Sequence, residues 1–416
     1  MTQSPAATML SPDGIRLADN AARVLASELI RHGGPKTALL TDADPESTLL
    51  AVALSALQPQ DRLTLVASDT PGRGIIALRA HLDTLGSWLR DRVTVVASIG
   101  EADPADIVII GEPLTGSADE AREIIDGISK YVADGGVLCV ATPARGAGAT
   151  TELDRQTALF GVGSDLILRH RPPLRVHRLR YSAADPATAQ QLTAAERTSS
   201  IPLTRHMHID SNGVAAFGIT LGLAALLRSS RRTAKLAWLP AIAAPAVAAF
   251  FRDPQRDVPQ DPSAVVAASD GKVLSVERVT DDRFGEQSEW LRIAVFLSVL
   301  DVHVNRAPVA GRVADYFLTD GGFAAAMKPD AEHNVAAYTV LDTPQGRVVV
   351  AQRTGLIARR IVQRAPIGAL LAKGERFGLI RFGSRTDIYL PADQATAAVA
   401  PGDRVTGGTT VVANWS

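Results

Sequence analysis

Five apolar runs in the N-terminal part of the chain, TALLTD (37–42), LTLVAS (63–68), VTVVAS (93–98), IVIIGEP (107–113) and GVLCVATP (136–143), are separated by helical stretches such as ESTLLAVALSAL and ADEAREIIDGISKYVADGG. This alternation constrains the fold more than any other feature. A strand that is apolar along its whole length is buried on both faces, and intervening helices supply the cover. The pattern therefore predicts a parallel sheet wrapped by helices. A last pair of runs, DLILRHR (165–171) and LRVHRLRYS (174–182), is split by Pro172-Pro173 and predicts an antiparallel hairpin.

This layout resembles a class I methyltransferase-like Rossmann domain, over roughly residues 10–185. A working methyltransferase of that fold usually has a glycine-rich turn after its first strand, so that backbone approaches the cofactor closely. Here the turn reads TDADPESTLL, which has no glycine and is acidic at Asp42, Asp44 and Glu46. Asp69 follows the second strand, where a ribose-binding acid often sits, and GEP (111–113) stands where a substrate-side loop would follow the fourth. The glycine-free turn argues against S-adenosylmethionine as a cofactor. The expectation is a degenerate, non-catalytic domain used for scaffolding, dimerisation or partner binding, so a homo-oligomer stays open.

Hydrophobic residues make up 46% of the 416 and charged residues 21%, enough apolar surface for a sizeable core. A net charge of −1 supplies no global field for nucleic acid. The single cysteine, Cys139, lies in the apolar run VLCVA, which excludes a disulfide framework or a cysteine-built metal site and reads as core. MTQSPAATMLSPDG has no basic region followed by a long apolar run, so no signal peptide is expected and the catalytic parts are placed in the cytosol.

A polar stretch, SAADPATAQQLTAAERTSS (182–200), reads as a linker or exposed helix. Two apolar segments follow, 213–227 and 236–251, separated by the basic RSSRRTAK. Each is shorter than the ~20 residues of a spanning helix, and Pro240 and Pro245 would disturb the second. With Trp238 beside the basic turn, they predict a short helical hairpin dipping into an anionic, cytoplasmic membrane surface. The bland reading is a pair of buried helices or a dimer interface. From 263 onward, short strand-like runs bounded by Gly, Pro and Asp predict a compact antiparallel or barrel-like domain.

Four stretches in this second half carry the chemistry: FFRDPQR (250–256), ASDGKV (268–273), FLSVLDVHVNRAPVAG (296–311) and KGERFGLIRFGSRTDIYLP (373–391). Together and in this order they resemble phosphatidylserine decarboxylase, in the short form lacking a second histidine, over about residues 236–416. The resemblance implies self-cleavage between Gly383 and Ser384, leaving a β chain of 1–383 bound without a covalent link to an α chain of 384–416. Ser384 is then the nucleophile that becomes a pyruvoyl group. An unaided serine is a poor nucleophile, so His303 is the expected base and Asp270 the carboxylate that orients it. The pyruvoyl ketone condenses with the amine of phosphatidylserine and accepts electrons as carbon dioxide leaves, giving phosphatidylethanolamine with no metal.

Some residues depart from that pattern or stay open. The longer bacterial form has a second histidine where this chain has Arg306, and AEHNVAAY (331–338) stands where short-form relatives often show Asn-Glu-Arg, with His333 read as a surface loop residue or, alternatively, a substrate-headgroup contact. Arg381 and Arg385 flank the cleavage site, either to hold substrate carboxylate or phosphate or to be solvated or paired with Asp387. Arg252 and Arg256 read as a basic flank of the hairpin, where a lipid phosphate would lie. The expected domains are 1–185 (α/β, Rossmann-like), 186–212 (linker), 213–251 (membrane-associating hairpin) and 252–416 (mainly β, catalytic). The alternatives are a decarboxylase of a soluble amino acid, a bifunctional enzyme with active methyl transfer, and a membrane scaffold whose site has decayed.

Overall fold

The computed structural model describes residues 15–68, 74–195, 200–285, 289–356, 360–380 and 384–416. The chain divides near Asp185 into two compact units. Asp69, Arg381, Phe382 and Gly383 lie outside the described residues.

The apolar runs of the first unit form strands β1 (Thr37–Ala43), β2 (Arg62–Ala67), β3 (Val93–Val96), β4 (Ala105–Ile109) and β5 (Val132–Pro143), followed by β6 (Gly161–Ile167) and β7 (Leu174–Leu179). Among the described residues they make one sheet ordered β3-β2-β1-β4-β5-β7-β6. The first five strands are parallel. β7 runs antiparallel between β5 and β6, so the expected hairpin is present. Helices α1 (Asp19–Leu25), α2 (Ser27–Arg31), α3 (Thr48–Ala56), α4 (Ile75–Leu85), α5 (Ala118–Ser129) and α6 (Ala149–Phe160) accompany the sheet. They contribute to two buried clusters, one built with Leu40, Leu65 and Ile109 and the other with Leu39, Val108 and Leu138. This alternation of neighbouring strand residues between two cores is what a sheet covered on both faces requires. Cys139 is fully buried on β5, and burial pushes its thiol up to about 12, the chemistry of an inert core residue.

At the carboxyl end of this sheet Asp42 adopts a positive φ of 52°. Gly111, just beyond β4, lies so close to β1 that a β-carbon would sit 2.1 Å from the Thr41 carbonyl oxygen. The glycine in the GEP run thus serves close packing of two strand ends.

The stretch read as a linker is partly built into the second unit. β8 (Ser200–Thr204) and β9 (Met207–Asp210) form an antiparallel hairpin, and β10 (Arg252–Pro254) pairs with β9 in register Ile209 to Arg252. The turn between β8 and β9 is Arg205-His206, without the Gly or Asn that usually marks a tight hairpin, so nothing in the sequence announced it. Between β9 and β10 come α7 (Ser211–Arg228) and α8 (Trp238–Phe250), which pack on each other as the expected hairpin. Asp210 caps α7 through the Asn212 N–H at 2.9 Å. Pro240 falls in the first turn of α8, where the missing N–H has no intrahelical partner to lose, whereas Pro245 is carried inside the helix. α7 is long and apolar enough to cross a membrane by length and composition.

The remaining strands are β11 (Ala264–Val266), β12 (Gly271–Thr280), β13 (Glu289–Leu297), β14 (Val304–Arg306), β15 (Gly311–Thr319), β16 (Ala336–Thr343), β17 (Gly346–Arg353), β18 (Ile361–Gln363), β19 (Leu370–Leu371), β20 (Arg376–Ile380), β21 (Ser384–Pro391), β22 (Ala395–Ala397), β23 (Arg404–Val405) and β24 (Val411–Trp415). The main sheet is ordered β19-β15-β16-β17-β21-β13-β12-β23, with β14-β20-β18 and β11-β24-β22 as smaller sheets. On one face of the main sheet, Phe284 packs against Trp290, Tyr338 and Tyr389 with ring centroids 5.1–5.5 Å apart. Such edge-on and tilted aromatic contacts fix strand register as well as burying area.

Candidate active site

The chain passes from the main sheet to the small one and later back again. Residues 298–303 join β13 to β14, and 381–383 join β20 to β21. Both ends of this pair of crossings are tied. Leu297 lies in register with Ser384, and the Ile380 N–H donates to the His303 carbonyl at 3.2 Å. The strand pairing therefore brings His303 and Ser384, far apart in sequence, to one junction.

The first crossing is shaped by Asp301. Its carboxylate accepts from the Ser298 N–H (2.8 Å) and hydroxyl (2.7 Å), which closes the turn. The Asp301 carbonyl then lies 2.9 Å from His303 Nδ1. A carbonyl only accepts, so Nδ1 carries the proton and Nε2 keeps its lone pair. Nε2 is buried and has no partner among the described residues. The Phe250 ring covers the imidazole at 4.2 Å between centroids. Burial is the main reason the imidazole is pushed down to about 4, with the nearby Arg252 charge adding to it. At neutral pH His303 is therefore a neutral base.

Ser384 opens β21 and is fully buried. Its Oγ also has no partner among the described residues. A hydroxyl and an imidazole nitrogen that are both out of water and without a partner among the described residues are unusual in a folded protein.

Asp270 is placed differently from expectation. Its carboxylate accepts from Arg256 Nη2 at 3.1 and 2.8 Å and from the Gly407 N–H at 2.8 Å, and none of its hydrogen bonds reaches His303. The guanidinium of the FFRDPQR segment claims it, and a backbone carbonyl orients the imidazole instead. Gly271 after it has φ +152°, and a β-carbon there would stand 2.2 Å from the Phe296 carbonyl oxygen, so this turn needs glycine. Arg256 accordingly ends in an ion pair, and Arg252 donates to the Ala249 and Leu300 carbonyls.

Arg385 takes the second of its two sequence readings. Its Nε donates to Asp387 at 2.5 Å, and Asp387 also accepts from Arg353 Nε at 2.7 Å. Because β21 alternates, these charges lie on the face opposite Ser384 and Thr386. Arg306, at the position of the absent second histidine, is a buried tether. It donates to Asp253 (3.1 Å), the Pro254 carbonyl (2.8 Å) and the Gly374 carbonyl (3.1 Å). Burial first, and then Arg376, pull its guanidinium down to about 9. Asn334 is buried and bonds to both backbone groups of Ala324 and to the Thr354 carbonyl, while His333 is exposed. Both are structural or surface residues. Among the described residues no three metal-ligating side chains cluster.

Residues 244–413 match the family model described as phosphatidylserine decarboxylase. The phosphatidylserine decarboxylase proenzyme of Symbiobacterium thermophilum is 48% identical over 166 residues, covering 39% of this chain and 76% of the relative. That of Thermobifida fusca is 44% identical over 190 residues, covering 45% and 83%. This chain belongs to the phosphatidylserine decarboxylase family. Every residue of the two crossings falls within the matched stretch, and so do Asp270 and Arg306. Arg256 does as well, so the ion pair that holds Asp270 is internal to the decarboxylase domain. Solved structures similar to this chain include precorrin-6y C5,15-methyltransferase from Geobacter metallireducens (15% identity, TM-score 0.28, 42% of this chain and 95% of that one). The tRNA methyltransferase TrmK of B. subtilis is another (10% identity, TM-score 0.29, 56% and 97%). The decarboxylase family match starts inside α8, so β8, β9 and α7 precede it.

Proposed function

We propose that this chain cleaves itself between Gly383 and Ser384 and that the product decarboxylates phosphatidylserine to phosphatidylethanolamine. The observation that carries this reading is the pair of buried, unpartnered atoms, Ser384 Oγ and His303 Nε2, at one strand junction of a decarboxylase domain. In the first step His303 Nε2 takes the hydroxyl proton while Oγ bonds to the Gly383 carbonyl carbon. The Gly383–Ser384 C–N bond then breaks, the proton passes to the released amine, and an ester joins the two residues. Loss of the Ser384 α-proton expels Gly383 as a carboxylate and leaves dehydroalanine. Water converts its imine tautomer to a pyruvoyl group with release of ammonia.

Ser384 suits this origin, because β21 is held between β13 and β17 and keeps the new terminus in place after the cut. When present, the pyruvoyl group serves as the electron sink for the carbanion left by carbon dioxide. The protein's own part is to bind and dehydrate the site and to hold a neutral base at His303. Asp270 enters as a positioning residue that acts through Arg256 and the Gly407 N–H. The metabolic partner is an anionic membrane. α7 and α8 leave and return to adjacent strands, β9 and β10, so the hairpin enters and exits on one side, as in a peripheral or monotopic protein. Ile219 (75% exposed), Leu226 (69%), Leu239 (69%) and Ile242 (73%) form its uncovered apolar surface, and Arg228, Arg231, Arg232 and Lys235 stand at its tip. The acidic, glycine-free turn after β1 supports a non-catalytic role for the first unit.

The test is the intact mass of the purified protein under denaturing conditions. Two chains are expected, the smaller starting at 384 with a pyruvoyl mass, and a single uncut chain from Ser384→Ala. One full-length mass for the wild type overturns the reading.

A further inference from the structure

Two buried amides lie on the Ser384 side of the site. Ser384 and Thr386 share one face of β21, and Thr386 lies in register with Gln352 on β17. Residues in register point to the same face, so Gln352 is the diagonal neighbour of Ser384, ~7–8 Å away along the sheet and within reach of a long side chain. Gln352 Nε2 donates to Asn305 Oδ1 at 2.7 Å. Asn305 sits two residues beyond His303 on β14. Both amides are fully buried. Opposite Asn305 in the β14–β20 pairing is Gly378, where a β-carbon would stand 3.1 Å from Gln352 Nε2. The glycine leaves the room in which the amide lies.

The bond between the amides leaves one group of each unsatisfied. Asn305 Nδ2 and Gln352 Oε1 have no partner among the described residues. A buried NH2 without an acceptor is costly to keep, so its retention calls for an acceptor that arises during function. The attack of Ser384 creates one. As Oγ bonds to the Gly383 carbonyl carbon, the carbonyl electron pair moves to its oxygen, and that oxyanion needs a fixed donor in a water-free site.

We propose that Asn305 Nδ2 is the oxyanion donor for self-cleavage, with Gln352 as the positioning residue that holds its amide. This inference rests on Ser384 being the nucleophile. The negative charge forms on the Gly383 oxygen, Asn305 donates to it, and the charge returns to the C–O double bond as the C–N bond breaks. No proton leaves Asn305.

The experiment follows the appearance of the 384–416 fragment in the full chain on a denaturing gel, for wild type, Ser384→Ala, Asn305→Ala, Asn305→Asp and Gln352→Ala. Asn305→Asp keeps an oxygen to which Gln352 donates and replaces the free NH2 donor by a second carboxyl oxygen. Both Asn305 variants are expected to cut ~10²–10³-fold more slowly than wild type, the usual loss for one oxyanion donor, and Gln352→Ala to fall between. Hydroxylamine, which cleaves an accumulated ester, should not rescue the Asn305 variants, because their defect precedes the ester. Melting of each Asn305 variant combined with Ser384→Ala, against Ser384→Ala alone, reads the fold separately from the chemistry. Wild-type cutting rates in either Asn305 variant, or rescue by hydroxylamine, would overturn the assignment. If Asn305→Ala lowers melting sharply, Asn305→Asp decides. A wild-type chain that never cuts sinks the parent reading instead, and a cutting Ser384→Ala sinks its nucleophile.

Discussion

The backbone carbonyl of Asp301 holds the Nδ1 proton of His303 at 2.9 Å, and this fixes the lone pair of the imidazole on Nε2. Burial keeps the ring neutral, against the Asp301 carbonyl and the Asp301 charge, which both favour the imidazolium. A base at His303, as proposed, would thus be ready before the reaction rather than made during it.

The pH dependence of cutting follows. His303 is pushed down to about 4, so its basic form dominates above that value and is lost as pH falls through it. The rate of fragment appearance should be flat from about pH 5.5 to 8 and decline toward pH 4. An inflection near 6.5 would mean that the imidazole is solvated when it acts.

The same burial makes the precursor acid-sensitive. A histidine whose folded value lies below its free value of 6.5 binds more protons when unfolded between the two, so stability rises with pH in that window. His177, held by the hydroxyls of Thr142 and Thr157 in the first unit, is likewise pushed to about 4 by burial. The melting temperature of uncut Ser384→Ala protein should be lower at pH 5 than at pH 7. Equal values would contradict the buried neutral state of both rings.

Asp270 and Arg256 should behave as one unit. Asp270→Ala and Arg256→Ala each remove the same pair, so the double variant should lose little more than either single one, in melting and in cutting rate alike. Neither should shift the pH profile of cutting, since neither side chain bonds to the imidazole. A shifted profile in Asp270→Asn would restore direct action on His303.

Arg306 is expected to matter for folding and not for proton transfer. Arg306→Met leaves Asp253 with Arg376 as its remaining cation and empties three hydrogen bonds, a loss of ~3–5 kcal/mol in denaturant unfolding of the Ser384→Ala precursor. Chains of Arg306→Met that do fold should cut at close to the wild-type rate. A folded but uncut variant would give Arg306 a part in the chemistry.

The hairpin should bind vesicles through both charge and apolar contact. Flotation with anionic vesicles is expected to weaken at high salt and in Arg231→Ala/Arg232→Ala, and to fail in Ile219→Asn/Ile242→Asn. Unchanged flotation in the apolar double variant would place the contact elsewhere on the surface.

Much of this was legible in the chain because it rests on local patterns. The uniform apolar runs from 37 to 143 read as buried strands, and the largely apolar segments around the RSSRRTAK turn read as a helical hairpin. Ser384 and His303 were legible only through the resemblance, which rests on FLSVLDVHVNRAPVAG and KGERFGLIRFGSRTDIYLP standing in order with the two earlier stretches. What sequence could not show was which acid meets which base. Asp270 and Asp301 are both acidic residues beside turns, and only the strand register puts the Asp301 carbonyl on the imidazole while Arg256 claims Asp270. Asn305 and Gln352 were missed for the same reason. Each looks like an ordinary polar residue in a strand, and the only local hint is that Asn305 follows His303 at the two-residue spacing that returns to the same face.

The position of β21 has a consequence for how the enzyme can be made. It pairs along much of its length with β13 on one side and β17 on the other, so the proposed cut would sever the chain at the head of an interior strand. Before the cut, threading that strand is an intramolecular event. After it, a denatured sample holds a short free peptide that must find a slot in the middle of a sheet by diffusion. Maturation by that cut would therefore work as a ratchet: the single chain can reach the native arrangement, whereas the two separated chains would have no comparable route back.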